Sequence, residues 1–385
     1  MAKFTAIIPI FQTPGILHLF LDSLMQTLTQ DTDFIFVNDG SGYCVQKLLE
    51  VFRQEIIRIW PESRVAILEY KTSRGSVLAI NAALRQVDAK CEYVVLLDSD
   101  TILQGHWQEQ LLSSFTKDEI GAVGGVLLYP QSGGIQCCGL TYCGSTGRHL
   151  YLNANPETLG LDTPFEVQAT VFAFCCIRRK IIEKTGLLDE HFYNGYEDLD
   201  YQFRIRKLGY RILTNPMIRH YHWEKSNGGH REYNRKSNLG RFWLKHGAYV
   251  RDDLTYFISY QLERLALAPG SYRAFDFCEG RDAAAIVKNW LSTYGAISIE
   301  DWEEIPYTRQ SGDTIWLPEL LDSGQAYNHR PFLFLCDQMV QMLDNQYWWS
   351  IRHKAGIGDL VIDLYGNALL FSQLQQSFWP GRKIR

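Results

Sequence analysis

Short apolar runs alternate with amphipathic stretches through the first hundred residues, and few folds accommodate that pattern. The runs have strand length and the stretches have helical spacing, which points to repeated βα units around a largely parallel sheet. Phe4–Phe11 is the first run. Thr13 and Pro14 then start a helix, the threonine as cap and the proline in its first turn, and Leu17, Phe20, Leu21, Leu24 and Leu28 follow at helical intervals. A second run, Phe34–Val37, ends in the polar turn Asn38-Asp39-Gly40-Ser41. A third, Val65–Leu68, leads to Ser73-Arg74-Gly75-Ser76 and a helix through Leu84. The fourth, Tyr93–Leu97, ends at Asp98-Ser99-Asp100. Functional groups in open α/β sheets gather at the carboxyl ends of strands, and here three successive strands end in polar, glycine-containing or acidic turns.

Between about 121 and 177 the glycines, paired cysteines and apolar alternation predict antiparallel strands. A helix is expected from Glu197, with Leu199, Phe203 and Leu208 near one face and Arg204, Arg206 and Lys207 opposite. A short strand, Arg211–Thr214, reaches Asn215-Pro216 and the chain passes on through His220 and His222. Past about 250 the alternation fades into a tryptophan- and tyrosine-rich region that reads as a separate, mostly helical module. The expected division is therefore 1–250 and 251–385, which 385 residues can accommodate.

Bulk properties exclude some classes. A net charge of -5 supplies no global field for nucleic acid. Basic stretches at Ile177–Lys180 and Gly381–Arg385 read as a solvated helix end and a tail. No run of roughly 18 apolar residues is present, so no membrane span is expected. The chain enters its first strand almost at once, without a signal-like segment. Nine cysteines, an odd number without any Cys-x-x-Cys, suit free thiols in a reducing, cytoplasmic compartment, at most peripheral to the inner membrane face.

Several constellations admit chemistry. Asp98 and Asp100 stand one residue apart at a strand end, where one carboxylate can ligate a divalent cation beside a diphosphate and the other can reach ribose hydroxyls. The same triplet would also serve as an ordinary helix-capping turn. Asp39 lies in good turn chemistry, or accepts a hydrogen bond from a pyrimidine imide. Glu197, Asp198 and Asp200 crowd a helix start, where the macrodipole favours acids but where one could also take a proton from an acceptor hydroxyl. His220 and His222 share strand parity, and either could complete an oxygen-rich metal site or be structural.

Taken together the residues resemble the inverting family-two glycosyltransferases of GT-A fold, rhamnosyltransferase-like bacterial branch. The likeness runs from Phe4 to Gly228 in order: Ile7–Ile10, Val37–Ser41, Gly75 with Asn81, Leu97–Thr101, Ile177–Arg179, Thr185–Phe192, Tyr196–Asp200, Gly209–Ile212, and Pro216 before His222. The resemblance implies a Rossmann-like α/β domain whose central sheet is mainly parallel and flanked by helices. It also implies roles. Pro9, Phe11 and Asp39 would line the nucleobase pocket, Asp98 would lie near ribose, and Asp100 would hold Mn²⁺ or Mg²⁺ with the diphosphate. His222, preceding Ser226-Asn227-Gly228, would be a further metal ligand, with His220 the alternative. Asp198 would be the base, with Glu197 the runner-up. Ser73 departs from the asparagine frequent there in the family, and Arg74 is a candidate for the diphosphate. The implied reaction moves a hexosyl or deoxyhexosyl group from a UDP- or dTDP-sugar to a glycan, lipid-linked or protein hydroxyl. A sugar-phosphate nucleotidyltransferase would need a basic glycine-rich loop after the first strand, and Phe11–Gly15 has no lysine or arginine. An inactive sugar-binding scaffold is the rival from another class. For the tryptophans at 290, 302, 316, 348, 349 and 379, packing in a core or stacking on acceptor sugars are the two readings.

Overall fold

A computed structural model describes residues 4–12, 14–29, 32–223, 228–278, 280–305, 314–321 and 323–378. Thr13, Ser226, Asn227, Trp379 and the basic tail 381–385 lie outside the described residues. The chain forms two compact units. One holds 1–131, 137–139 and 162–250; the other holds 132–136, 140–161 and 251–385. The expected division at 250 is thus too simple, because two internal segments before it fold with the C-terminal unit.

The first unit begins β1 (Phe4–Ile10), α1 (Pro14–Thr27), β2 (Thr32–Asp39), α2 (Tyr43–Ile59), β3 (Val65–Tyr70), α3 (Ser76–Leu84) and β4 (Tyr93–Leu97). After these come β5 (Thr101–Ile102), α4 (Trp107–Ser114) and β6 (Ile120–Leu128). The chain then passes through β7 (Ile135–Cys137), β8 (Leu140–Cys143) and β9 (Thr146–His149). It returns with β10 (Phe165–Val167), β11 (Phe174–Arg178), α5 (Arg179–Thr185), α6 (Glu197–Lys207), β12 (Arg211–His222) and α7 (Gly228–His246).

The sheet order is β10-β12-β6-β11-β4-β1-β2-β3, with β5 paired to β12 off that path. β3, β2, β1 and β4 run parallel. The central strands are buried along their whole length, which is why they read as continuous apolar runs. The antiparallel expectation for 121–177 holds for β11, which runs against both β4 and β6. On its other edge β6 is parallel to β12. The expected short strand at 211–214 is the start of the twelve-residue β12, which absorbs Asn215-Pro216 in a register shift between Thr214 and Arg219. On α6, Leu199 and Phe203 are buried as expected, whereas Leu208 is exposed at the helix end.

The second unit corrects the expectation of a mostly helical module. It is built on a five-stranded sheet ordered β14 (Ile297–Glu304), β13 (Gly270–Asp276), β15 (Phe332–Cys336), β16 (Leu360–Asp363) and β17 (Ala368–Leu370). All neighbours are parallel except β16 and β17. Its helices include α8 (Leu254–Arg264), α9 (Asp282–Leu291), α10 (Leu317–Leu320), α11 (Gln346–Lys354) and α12 (Leu374–Ser377). Phe332–Cys336 is uniformly apolar and β16 opens with Leu360, Val361 and Ile362, and a short apolar run does not distinguish a buried strand from a buried helix. The antiparallel pair β8–β9 also belongs here; Cys143, at its turn, joins a core of Leu254, Ile258, Leu333 and Ile362. Trp348 is buried in this unit, Trp290 and Trp302 pack beside its core, and Trp316 is partly exposed.

Candidate active site

The acidic triplet is fixed by backbone bonds. The N–H of Asp98 donates to the carbonyl of Ala173 at 3.2 Å, and the N–H of Thr101 donates to the carbonyl of Asp98 at 3.1 Å. Thr101 Oγ1 also donates to Ala173, at 3.2 Å. A tight turn therefore follows β4 and delivers the chain into β5, which pairs antiparallel with the end of β12, His222 opposite Thr101. The N–H of Trp223 closes the ladder on the carbonyl of Asp100 at 3.0 Å.

This ladder sets His222 beside the aspartates. Its Nε2 is 3.3 Å from Asp100 Oδ1 and 3.8 Å from Asp98 Oδ2. One ligand atom from each of the three lies within 4.8 Å of the others. Two carboxylates and an imidazole are a hard, oxygen-rich donor set that fits Mn²⁺ or Mg²⁺. The cluster is sheltered but reachable, with side-chain exposures of 13% for His222, 15% for Asp100 and 44% for Asp98.

His220 sits elsewhere. It is fully buried, its ring centre 4.3 Å from that of Phe174, and its Nδ1 accepts the Gln104 N–H at 3.1 Å. Burial drives its pKa down to about 3, so it is neutral in the fold. Of the two histidines, geometry groups only His222 with the acids.

Asp39, at the end of β2, is buried and organises the loop between β3 and α3. Its Oδ1 accepts the Arg74 N–H at 2.8 Å; its Oδ2 accepts Ser73 Oγ at 2.7 Å and the Gly75 N–H at 2.9 Å. Such approach requires Gly40, at φ +82°, where a Cβ would fall 2.6 Å from the Ser73 nitrogen. Ser73, read as a departure from pattern, is therefore a bonded part of this loop. Arg74 is exposed, its guanidinium 4.8 Å above the Tyr70 ring. Pro9 lies in β1 opposite Val37, half-buried, and Phe11 projects exposed just beyond that strand. The Gln12 N–H donates to Ser41 Oγ at 3.0 Å, tying the end of β1 to the turn after β2.

The three acids of α6 separate by environment. Glu197 accepts Ser76 Oγ at 3.0 Å and the Gly195 N–H at 2.5 Å, linking α6 to the first residue of α3. Asp200 is wholly buried against His246 at 2.9 Å, Lys245 at 2.5 Å and Arg204 at 3.0 Å. Burial alone would raise its pKa, but bonds from His246 and Lys245 and the charge of Arg204 hold it below the usual carboxylate range. It is thus a structural tether between α6 and α7. Asp198 is half-buried, with Oδ1 accepting the Leu199 N–H at 2.8 Å. It lies close enough to Cys175 to help raise that thiol, which burial chiefly drives to about 12. Cys175 pairs with Leu96, two residues before Asp98.

All nine cysteines are free and eight are buried.

The family model described as "Glycosyltransferase like family 2" matches residues 2–238, which span the candidate site from Pro9 to His222. The chain belongs to glycosyltransferase family 2. Among curated proteins, it is similar to the O-antigen biosynthesis protein RfbC of Myxococcus xanthus, 26% identical over 261 residues that make up 64% of this chain and 19% of that protein. It is also similar to glycosyltransferase GlyG of Streptococcus pneumoniae serotype 4, 25% identical over 197 residues, 50% of this chain and 60% of that one. The chain thus spans less than two thirds of either relative's length. Among solved structures, the mannosyltransferase PcManGT from Pyrobaculum calidifontis, in complex with GDP-Man and Mn²⁺, aligns over 76% of this chain and 81% of that chain, with 16% identity and a TM-score of 0.47. The family-2 match ends inside α7, so 239–385 lie beyond it.

Family-2 motifs did not expose two supports of the site, Gln202 and Asn238. Gln202 is buried on α6; its Oε1 accepts the Thr170 N–H at 2.9 Å and its Nε2 donates to the Thr170 carbonyl at 2.6 Å, fixing the segment that leads to Ala173. Asn238 of α7 donates through Nδ2 to the carbonyls of Tyr193 and Gly195, at 3.0 and 2.8 Å. Asn81, already part of the resemblance, holds the Leu188 backbone in both directions, at 3.0 and 2.8 Å. The one signal for Gln202 was a polar side chain one turn from Leu199 on the buried side of α6.

Proposed function

We propose that the chain transfers a sugar from a nucleoside-diphosphate sugar, with UDP- or dTDP-sugars favoured, to an acceptor hydroxyl by single displacement with inversion. The observation that carries this reading is the convergence of Asp98, Asp100 and His222 at the carboxyl edge of the parallel strands. Asp100 and His222 would hold Mn²⁺ or Mg²⁺, with Asp98 nearer the ribose. The bound cation would neutralise charge on the departing diphosphate.

The remaining roles belong to the chain's own groups. Pro9 and Phe11 offer apolar surface to a nucleobase, and Asp39 shapes the loop beside it, with Arg74 exposed at the loop tip for the diphosphate. Asp198 takes the proton from the acceptor hydroxyl as its oxygen attacks the anomeric carbon. Glu197 suits that role less well, since both its oxygens already accept hydrogen bonds from Ser76 and Gly195.

A cytoplasmic setting accords with free, buried thiols, and among the described residues no helix is long and apolar enough to cross a membrane. Against the scaffold alternative, the full acid set is retained. The test is nucleotide release from a panel of UDP-, dTDP- and GDP-sugars with Mn²⁺, with and without EDTA. Release from UDP- or dTDP-sugars that EDTA abolishes is expected. Release confined to GDP-sugars would remove the preference for a pyrimidine nucleotide, and no release from any donor would favour the scaffold.

A further inference from the structure

The second unit carries a site of its own, independent of the donor reading. Its four parallel strands, counted from β13, are ordered second-first-third-fourth with the antiparallel β17 outermost, and that order matches the doubly wound flavodoxin type over the parallel strands. In such sheets ligands bind outside the carboxyl ends of the strands, where the first and third part company. Here those strands are β13 and β15, which end at Asp276 and Cys336.

Charged groups converge at that edge. Asp337 follows β15, and its Oδ1 lies 3.7 Å from Arg148 Nη2 and 3.5 Å from Arg281 Nε. Arg148 comes from β9 and its guanidinium stands 5.5 Å from the Tyr365 ring centre. Only 6% of its side chain is exposed, and its Nε donates no hydrogen bond. Arg352, equally buried in the same unit, shows the ordinary solution: it bonds Asp359 and the carbonyls of Gln325, Asn328 and Arg330. A buried guanidinium with five donors needs acceptors, and Asp337 at 3.7 Å is beyond hydrogen-bond reach.

The local charges favour an anion as that acceptor. Asp276, the acid ending β13, is already neutralised by Lys288 at 2.6 Å. Two guanidiniums therefore share the single carboxylate of Asp337. Arg281 is 42% exposed and sits just before α9, after Gly280 at φ +68°, so its guanidinium is reachable from solvent. Planar guanidinium forks match phosphoryl oxygens.

We propose that this edge of the second unit binds a phosphate-bearing small molecule, with Arg148 and Arg281 as its clamps. The test is calorimetric titration of the full chain, in EDTA, with inorganic phosphate, AMP and glucose 1-phosphate. Saturable binding to one site is expected. Arg148→Met and Arg281→Met should each weaken it about tenfold or more, whereas Asp98→Asn/Asp100→Asn should leave it unchanged. A preference for AMP assigns a nucleotide phosphate, a preference for glucose 1-phosphate a sugar phosphate, and equal affinity the phosphoryl group alone; each upholds the site. If Arg148→Met does not fold, the exposed Arg281→Met decides. No saturable binding, unchanged affinity in the arginine variant, or loss of binding in the aspartate variant would overturn the proposal.

Discussion

Two histidines two residues apart in one strand meet opposite fates, and the difference lies in their neighbours. His222 faces two carboxylates, while His220 lies under Phe174 with its Nδ1 bonded to backbone. Parity placed both on one side of β12, but only depth separates them, and depth depends on which strand pairs with that end. The buried ring makes a pH prediction. His220 is neutral in the fold down to about pH 3, yet in the unfolded chain it takes a proton below about 6.5. Its contribution is therefore intact above that value and is withdrawn as pH falls from about 6.5 towards 3. His220→Phe should cost about 1 kcal/mol at pH 8, from the lost Gln104 bond. That deficit should shrink as pH falls to 4, read as the gap between urea midpoints. A gap that stays constant with pH would contradict the assignment.

Elements supply the site's rigidity. Asn194, Gly195 and Tyr196 all have positive φ, at 48°, 142° and 68°, just before α6. Left-handed backbone at non-glycine residues costs about 1 kcal/mol or more each and persists only where neighbours enforce it. The enforcer here is α7, through Asn238 to the Tyr193 and Gly195 carbonyls and through Lys245 and His246 to Asp200. Asn238→Ala should destabilise the protein by about 1–3 kcal/mol and speed hydrogen exchange at 193–196. Transfer should fall more than donor affinity, because the loop leads directly into α6, where the proposed base Asp198 stands. Unchanged exchange in that loop would show the clamp is elsewhere. The βα repeats and the start of α6 were legible because each is a local pattern of period and capping. The length of β12, the β6–β12 pairing and the Asn238 clamp were not, since each depends on residues far apart in sequence meeting in space.

At the scale of the whole molecule, the sheet of the second unit is not legible in the sequence because β15 and β16 are short buried runs without alternation, while β14 is rich in acidic residues. Its interleaving with the first unit was equally hidden, as 132–136 and 140–161 bear no composition that sets them apart. A chain ending at residue 250 would strand β8 and β9 without the α8, β15 and β16 residues that cover Cys143. It should aggregate or bind a hydrophobic dye, and a soluble fragment with one sharp unfolding transition would contradict the division. The central claim, however, is the separation of labour between a metal-bearing donor cluster and the base on α6. It is tested most directly by Asp198→Asn, comparing sugar transfer with affinity for UDP in the presence of Mn²⁺. The account predicts transfer lowered about 10²–10⁴-fold and UDP affinity within a few-fold of the parent. Near-parental transfer, or loss of UDP binding in step with activity, would contradict it.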